Sequence, residues 1–309
     1  MPSAVARRKL ELAGRAVPVI EATGADDGPL LTVIAGVHGC EYASMAAVRR
    51  WAGGLADRDL RGRVRAVPVL NLSAFAARSP FVVPEDGKNL NRCFPGDGSG
   101  TLADRLAHDT FTRLITGSDA VVDAHCGDLV EALHPFTIFE SGPAEDRARA
   151  LAMAYGLPYI IEQPAGPDRT VAGTASGAAA AAGIPAITAE AGGCGLVEEH
   201  AVALHVAGLN GVLRLLGMTD TGPDNHPVTG ASTLLSRFVW LRCRQAGWWE
   251  PVIRPGDFVT EGELVGTVTD LDAAAVLETI RVPFAGVIMF LTSSPAVADD
   301  GLLLGLGAS

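Results

Sequence analysis

The sequence contains no apolar run that could span a lipid bilayer. Its apolar runs are short and are broken by glycine, proline or charged residues, whereas a membrane-spanning helix needs roughly 18 or more apolar residues in succession. The N-terminal segment, MPSAVARRKLELAG, is too charged and too poor in apolar side chains for a secretory signal. We therefore expect a cytoplasmic protein that does not bind membranes.

Positive charge and cysteine are also scarce. The 309 residues include 24 Lys and Arg against 35 Asp and Glu, and the formal net charge is -11. Because binding to a phosphate backbone requires Lys and Arg to displace its counterions, this charge argues against nucleic acid as a partner. Five cysteines, an odd number spread along the chain, indicate reduced thiols rather than a disulfide framework.

Short apolar segments alternate with amphipathic ones over the first two thirds of the chain. This pattern predicts strands over residues 30–36, 64–70, 119–124, 136–140 and 186–189. It predicts helices over residues 41–56, 101–116, 144–155, 172–183 and 197–216. Residues 71–92 are rich in turn formers and are predicted to form a long loop. The alternation predicts an α/β fold with a mostly parallel or mixed sheet flanked by helices.

The pattern changes near residue 218. Residues 218–232 have the composition of a linker, and strand-like segments follow at 238–242, 247–252, 264–268 and 286–291. We therefore predict an α/β domain over residues 1–225 and a small all-β domain over residues 226–309. The sequence leaves open whether the protein is a homo-oligomer.

Two histidines and a glutamate form a candidate metal site. His38 and Glu41 lie three residues apart where a predicted strand leads into a helix, so one helical turn brings them to the same side. His125 directly follows another predicted strand, and groups that follow parallel strands gather at one edge of a sheet. Catalytic zinc uses three such ligands and leaves one position for water. Asp123, two residues earlier, could hold a ring nitrogen of the metal-binding His125. Alone, His125 would be interpreted as a buried structural histidine.

An acid and a polar loop add to this candidate site. Glu190 ends the predicted strand at 186–189, and a carboxylate beside zinc can take a proton from water and pass it to a leaving amine. The alternative is an acid that faces solvent. In the loop, Arg92 with its neighbours Asn89 and Asn91 could bind a carboxylate, and Arg78 could polarise a carbonyl. Loop arginines are commonly solvated, so these four residues do not define a site on their own.

Four motifs in this order resemble the succinylglutamate desuccinylase/aspartoacylase family, which has a zinc carboxypeptidase-like fold. They are GVHGCE at 36–41, NLNR at 89–92, DAHCG at 123–127 and AEAGG at 189–193. The segments GKNLNRCFPG and AEAGG resemble more closely the bacterial branch that includes N-acyl amino acid and diaminobutyrate deacetylases. A set of four ordered motifs is far more specific than any one of them.

The resemblance implies a role for each motif residue. It implies one zinc ion per chain, bound by His38, Glu41 and His125. It implies Glu190 as general base and acid, Arg78 as the group that polarises the carbonyl, and a substrate-carboxylate clamp formed by Asn89, Asn91 and Arg92. Cys40 and Cys126 depart from the family pattern, and we interpret both as small buried side chains.

The C-terminal segment resembles a biotinyl/lipoyl-type β-sandwich over residues 251–268 and 283–288. Carrier domains of that type attach their cofactor to a lysine at a hairpin tip, and this segment contains no lysine. We therefore expect it to shape or cap the active site rather than carry a group.

The leading hypothesis for function is a zinc-dependent hydrolase that removes the acyl group from a small N-acyl amino acid or related amide. Its partner would be a small substrate that bears a carboxylate. Two alternatives stay open: a metallocarboxypeptidase acting on peptides, and a non-catalytic small-molecule binding protein that keeps the fold.

Overall fold

The computed structural model describes residues 3–164, 172–220 and 230–309. Ten strands precede the C-terminal region in the described residues: β1 Ala4–Leu12, β2 Arg15–Thr23, β3 Asp26–Ala35, β4 Arg61–Val67, β5 Ala120–His125, β6 Glu131–Leu133, β7 Phe136–Glu140, β8 Tyr159–Gln163, β9 Ala186–Glu190 and β10 Thr233–Leu235. The α-helices are α1 Tyr42–Gly53, α2 Leu72–Ala77, α3 Leu102–Thr110, α4 Glu145–Tyr155, α5 Ala175–Ala181 and α6 Glu199–Leu215. Short helical turns cover Gly54–Asp57, Leu90–Arg92 and Phe111–Ile115.

Nine of these strands form one mixed sheet in the order β1-β2-β4-β3-β5-β9-β7-β8-β10. Its central strands β4, β3, β5 and β9 are parallel to one another. Strand β5 lies at the centre of the sheet, and all six of its residues are buried. This is expected for a parallel strand that helices cover on both faces. The carboxyl ends of β3, β5 and β9 therefore meet at one edge of the sheet, and His125 pairs with Glu190 there.

Helices cover both faces of the sheet. One core contains Trp51 of α1, Tyr155 of α4 and Leu209 of α6. The core on the other face contains Leu106 of α3 and Ala179 of α5. Among the described residues no helix is both long enough and apolar enough to cross a membrane.

The predicted α/β fold is confirmed, and the five predicted strands and five predicted helices of the first part all exist, with ends shifted by a few residues. The prediction of an uninterrupted loop over residues 71–92 is wrong at its start, where α2 forms. The side chain of Asn71 caps that helix by accepting a hydrogen bond from the backbone N–H of Ala74. Strands β1, β2, β6, β8 and β10 were not predicted from the sequence; in the hairpin β1–β2, mixed charges hide the alternation.

The C-terminal region is built from antiparallel sheets, as predicted. Its strands are β11 Arg237–Arg242, β12 Gly247–Pro251, β13 Phe258–Val259, β14 Leu264–Thr269, β15 Val276–Arg281, β16 Gly286–Thr292, β17 Ala296–Val297 and β18 Leu302–Ala308. They form the orders β11-β18-β16-β13 and β15-β14-β12-β17 around a core that includes Trp249 and Ile288. Among the described residues one strand pairing joins this region to the rest, that of β6 with β16, while β10, which directly precedes β11, pairs with β8 of the large sheet. The predicted boundary at 225/226 and most of the predicted linker lie outside the described residues, and the division into two domains stays a prediction.

Close packing of α4 against α6 yields a test of the fold. A Cβ built on Gly211 would lie 2.0 Å from the carbonyl oxygen of Ala154. A Gly→Ala change in a helix ordinarily stabilises the helix by up to about 1 kcal/mol. Here we expect Gly211→Ala to lower the free energy of unfolding by about 1–3 kcal/mol, because α4 and α6 must move apart. Urea unfolding measures this. The control is Gly54→Ala, where a Cβ meets nothing within 4 Å; equal stability of the two variants would contradict the packing.

Candidate metal centre

Three side chains converge where the central strands end. His38 lies in the turn after β3, Glu41 directly precedes α1, and His125 is the last residue of β5. All three are buried. The turn and the strand end are adjacent because β3 and β5 are neighbours in parallel register, with Ala35 opposite Ala124. The structure thus brings together the three residues that the sequence predicts as metal ligands.

The donor atoms of these residues face one another. Nδ1 of His38 lies 2.5 Å from Oε1 of Glu41, and Nδ1 of His125 lies 2.9 Å from Oε2 of the same carboxylate. One ligand atom from each residue falls within 4.8 Å of the others. Burial by itself would raise the pKa of Glu41, but the adjacent His125 and His38 lower it to about 2. The carboxylate is therefore ionised at neutral pH, as a metal ligand must be.

The outer nitrogens of both histidines also have partners. Nε2 of His38 lies 3.0 Å from Oδ1 of Asn89, and Nε2 of His125 lies 3.0 Å from Oδ1 of the buried Asp123. Metal-binding histidines commonly use one nitrogen for the metal and donate the other N–H to an oxygen that fixes the ring. Two nitrogens and a carboxylate, each already oriented, fit a divalent metal ion that prefers nitrogen and oxygen ligands.

Glu190 lies beside this cluster at the end of β9. It is opposite His125 in the β5–β9 register, and both residues line the same cavity. Its Oε2 is buried and accepts no hydrogen bond. Burial raises the pKa of Glu190 well above its ordinary value. A carboxyl group whose oxygen is buried and free of hydrogen bonds is placed to take up and release a proton, which is what a general base or acid does.

The predicted carboxylate clamp has a different arrangement from the one expected. Oδ1 of Asn89 accepts from the backbone N–H of Asn91 as well as contacting His38, and Oδ1 of Asn91 accepts from the N–H of Ala175. These two amides therefore hold the loop and the ligand ring in position. Arg92 lines the cavity, donates to the carbonyl oxygen of Asn91, and makes no ion pair with a described residue. Its guanidinium remains available to a substrate.

Arg78 is not among the residues that line the cavity. It is exposed and follows α2 with φ 54, and its predicted role toward a carbonyl stays a prediction. Phe81, three residues later, does line the cavity, and its ring is edge-on to that of His38 at a centroid distance of 6.0 Å. The N–H of Phe81 donates to Oδ2 of Asp128 at 2.9 Å, which fixes this part of the loop.

The cavity has a volume of about 550 Å³ and is closed on one side by the C-terminal sheets. Trp240, Arg242, Phe290 and Thr292 contribute to that wall. Glu131 also lines the cavity and was not predicted from the sequence. It follows the DAHCG motif by four residues. Only the charge and the short distance from His125 along the chain could have drawn attention to it.

The fold and the site together define a class of protein. It is an α/β protein with a candidate metal centre, of the kind found in metal-dependent hydrolases, at the ends of its central strands. The chain belongs to the succinylglutamate desuccinylase/aspartoacylase family, since residues 27–216 match the model of the catalytic domain of that family. This confirms the resemblance drawn from the four motifs. The members of this family are metal-dependent deacylases of N-acyl amino acids.

Individual relatives agree with this assignment. The chain is 30% identical to the N-alpha-acetyl-L-2,4-diaminobutyric acid deacetylase of Halomonas elongata over 257 residues, which are 81% of this chain and 73% of that protein. A succinylglutamate desuccinylase/aspartoacylase structure from Rhodobacter sphaeroides superposes with a TM-score of 0.85 at 24% identity, covering 99% of this chain and 95% of the other. The product-bound ectoine utilization protein EutE of Ruegeria pomeroyi gives 0.85 at 23% identity with the same coverage. At these identities the two structures bear on the fold alone.

The metal site can be tested without measuring catalysis. Glu41→Ala removes the single carboxylate of the cluster, so we expect its affinity for Zn²⁺ to fall at least about 100-fold, since even the loss of an outer partner costs about 10–100-fold. Titration of chelator-treated protein measures the affinity, and added metal should raise the melting temperature of the unaltered protein but not that of Glu41→Ala. His200→Ala, at an exposed position, is the control. Unchanged binding by Glu41→Ala would rule out this metal site.

The role of Asp123 can be tested in the same titration. Asp123→Asn preserves the size of the side chain but removes the charge beside Nε2 of His125, and we expect roughly 10-fold weaker Zn²⁺ binding. Asp146→Asn changes an exposed acid and should bind as tightly as the unaltered protein. If both variants bind alike, Asp123 does not orient the histidine.

Proposed function

We propose that this protein is a zinc-dependent hydrolase that removes the acyl group from a small N-acyl amino acid. The observation that carries the proposal is the position of Glu190, a buried carboxyl group with a free oxygen, beside the His38–Glu41–His125 cluster. A donor set of two histidines and one carboxylate is typical of catalytic zinc, which keeps a further position open.

His38, Glu41 and His125 would hold the ion. Zinc at this position would supply Lewis-acid chemistry, which acidifies water and polarises a carbonyl group. Glu190 accepts the proton of the attacking water on its carboxylate and then delivers that proton to the leaving amine nitrogen. Burial raises the pKa of Glu190, and this favours uptake of the proton by its carboxylate. Arg92 holds the carboxylate of the amino acid through its guanidinium.

The shape of the cavity favours a small substrate over a peptide. Its volume of about 550 Å³ lies within the range of pockets for small molecules, and the C-terminal sheets line one side of it. The relative from Halomonas elongata is named for an N-acetylated diamino acid, which supports an acetyl group and a short amino acid as the two parts of the substrate.

A substrate panel tests this function. Zinc-loaded protein should hydrolyse at least one of N-acetyl-diaminobutyrate, N-acetylaspartate and N-succinylglutamate, lose the activity on chelation, and regain it when zinc is restored. Faster cleavage of C-terminal residues from dipeptides and longer peptides would favour the carboxypeptidase alternative. Binding without turnover of any amide would favour the non-catalytic alternative.

Glu190→Gln separates catalysis from metal binding. The amide cannot accept or deliver the proton, so we expect kcat to fall by about 10²–10⁴-fold, the usual contribution of general acid–base catalysis. Zinc affinity should stay within a few-fold, because Glu190 is not one of the three ligands. The control is Glu198→Gln, at an exposed acid. Activity retained by Glu190→Gln would overturn the assigned mechanism.

A further inference from the structure

We infer that His205 of α6 is a positioning residue for the proposed reaction: through the carbonyl oxygen of Ala191 it fixes the backbone from which Glu190 projects. His205 is fully buried and is not among the described residues that line the cavity. The inference rests on the proposed deacylase function, and it adds a residue that touches neither the metal site nor the substrate.

The carboxyl group of Glu190 depends on its backbone for its position. Its Oε2 is buried and accepts no hydrogen bond from a described residue. Glu190 is also the last residue of β9. Directly beyond it, the N–H of Ala191 donates to the carbonyl oxygen of His125 at 3.4 Å, which is long for a hydrogen bond of this kind. Contacts from outside the sheet are therefore needed to hold residues 190–192 in place.

The imidazole of His205 supplies such a contact. Its Nε2 lies 3.2 Å from the carbonyl oxygen of Ala191, and the ring also interacts with the backbone of His125. Because a carbonyl oxygen can only accept, Nε2 carries the ring proton and donates it to this hydrogen bond. One ring thus contacts the backbone at the ends of both β5 and β9, the strands that bear the candidate ligand His125 and Glu190.

The hydroxyl of Tyr155 fixes the other nitrogen of the same ring. It lies 2.7 Å from Nδ1 of His205. The buried ring is neutral and its proton is on Nε2, so Nδ1 accepts the hydroxyl hydrogen. The ring of Tyr155 can lie this close to α6 because residue 208 is glycine, where a Cβ would come within 2.4 Å of the tyrosine. With a partner on each nitrogen, the imidazole has a single orientation.

The segment after Glu190 also packs directly against α6. Gly192 has φ 89, and a Cβ there would lie 2.8 Å from the Cβ of Ala201 and 3.0 Å from the Cβ of Ala43. Ala201 precedes His205 by four residues, so both side chains lie on the same face of the helix. This packing and the hydrogen bond from His205 together hold the backbone that carries Glu190, as a pre-organised catalytic carboxyl group requires.

The kinetic test removes the donor and then restores it. In zinc-loaded His205→Leu we expect kcat to fall by about 10–100-fold with KM within a few-fold, because a small displacement of a catalytic group costs rate more than binding. His205→Gln can donate from its amide nitrogen to Ala191 and should recover most of the loss. The control is Val212→Ala, which weakens the packing of a buried residue of the same helix and should keep kcat within a few-fold well below its melting temperature.

Tyr155→Phe provides a second variant that keeps the inference testable if His205→Leu does not fold. The ring of His205 then loses the partner that fixes it, and we expect kcat to fall several-fold. Unchanged kcat in Tyr155→Phe and in every folded variant of His205 would overturn the inference. A loss in Val212→Ala equal to that in His205→Leu, or no recovery in His205→Gln, would overturn it as well, because the role of His205 would then be structural only.

Hydrogen exchange of the backbone gives a readout that does not need turnover. In His205→Leu the peptide covering residues 187–195 should exchange at least about 10-fold faster than in the unaltered protein, and in His205→Gln and Val212→Ala it should exchange at close to the unaltered rate. Equal exchange in all of these proteins would contradict the inference. If no amide is hydrolysed yet exchange of this segment depends on His205 as expected, His205 does position the end of β9 and the deacylase function fails.

Discussion

The parallel register of β3, β5 and β9 is the constraint on which the rest of the site depends. It aligns Ala35 with Ala124 and His125 with Glu190 at one edge of the sheet. Because successive side chains of a strand point to opposite faces, a slip of one residue in β5 would turn His125 away from Glu41. The same two-residue period places Asp123 on the side of His125, where it contacts the outer ring nitrogen. The backbone hydrogen bonds of the sheet thus set the geometry of the metal centre.

Side chains of α6 and α4 fix the carboxyl end of β9. The buried His205 of α6 lies with Nε2 3.2 Å from the carbonyl oxygen of Ala191, and its Nδ1 contacts the hydroxyl of Tyr155. Burial lowers the pKa of His205 to about 4, so the ring is neutral and donates from Nε2 to the residue directly after Glu190. The close approach of α4 and α6 that Gly211 permits is therefore connected with the site, because it lets Tyr155 reach His205.

The sequence was sufficient to predict those residues of the site whose placement depends on their immediate neighbours along the chain. His38 and Glu41 share one turn, and His125 and Glu190 each end an apolar segment, so strand-end placement was enough to bring them together. It could not specify what Asn89 and Asn91 bind, because their partners His38 and Ala175 are distant in the chain. Nor could it find Glu131, whose position follows from β6 pairing with a strand about 160 residues further on. The hairpin β1–β2 was missed because its exposed charged side chains obscure the apolar face.

The difference between the residues that were predicted and those that were missed reflects the elements on which they lie. The candidate ligand His125 and Glu190 end central parallel strands, where burial on both faces enforces an apolar sequence and leaves the polar residue at the end conspicuous. The other residues that line the cavity come from irregular or edge segments: Arg92 from a short turn, Glu131 from β6, and the wall from β11 and β16. Such segments tolerate substitution better than core strands do. A fold of this kind can therefore keep the residues at the carboxyl ends of its central strands while the charges elsewhere around the cavity change.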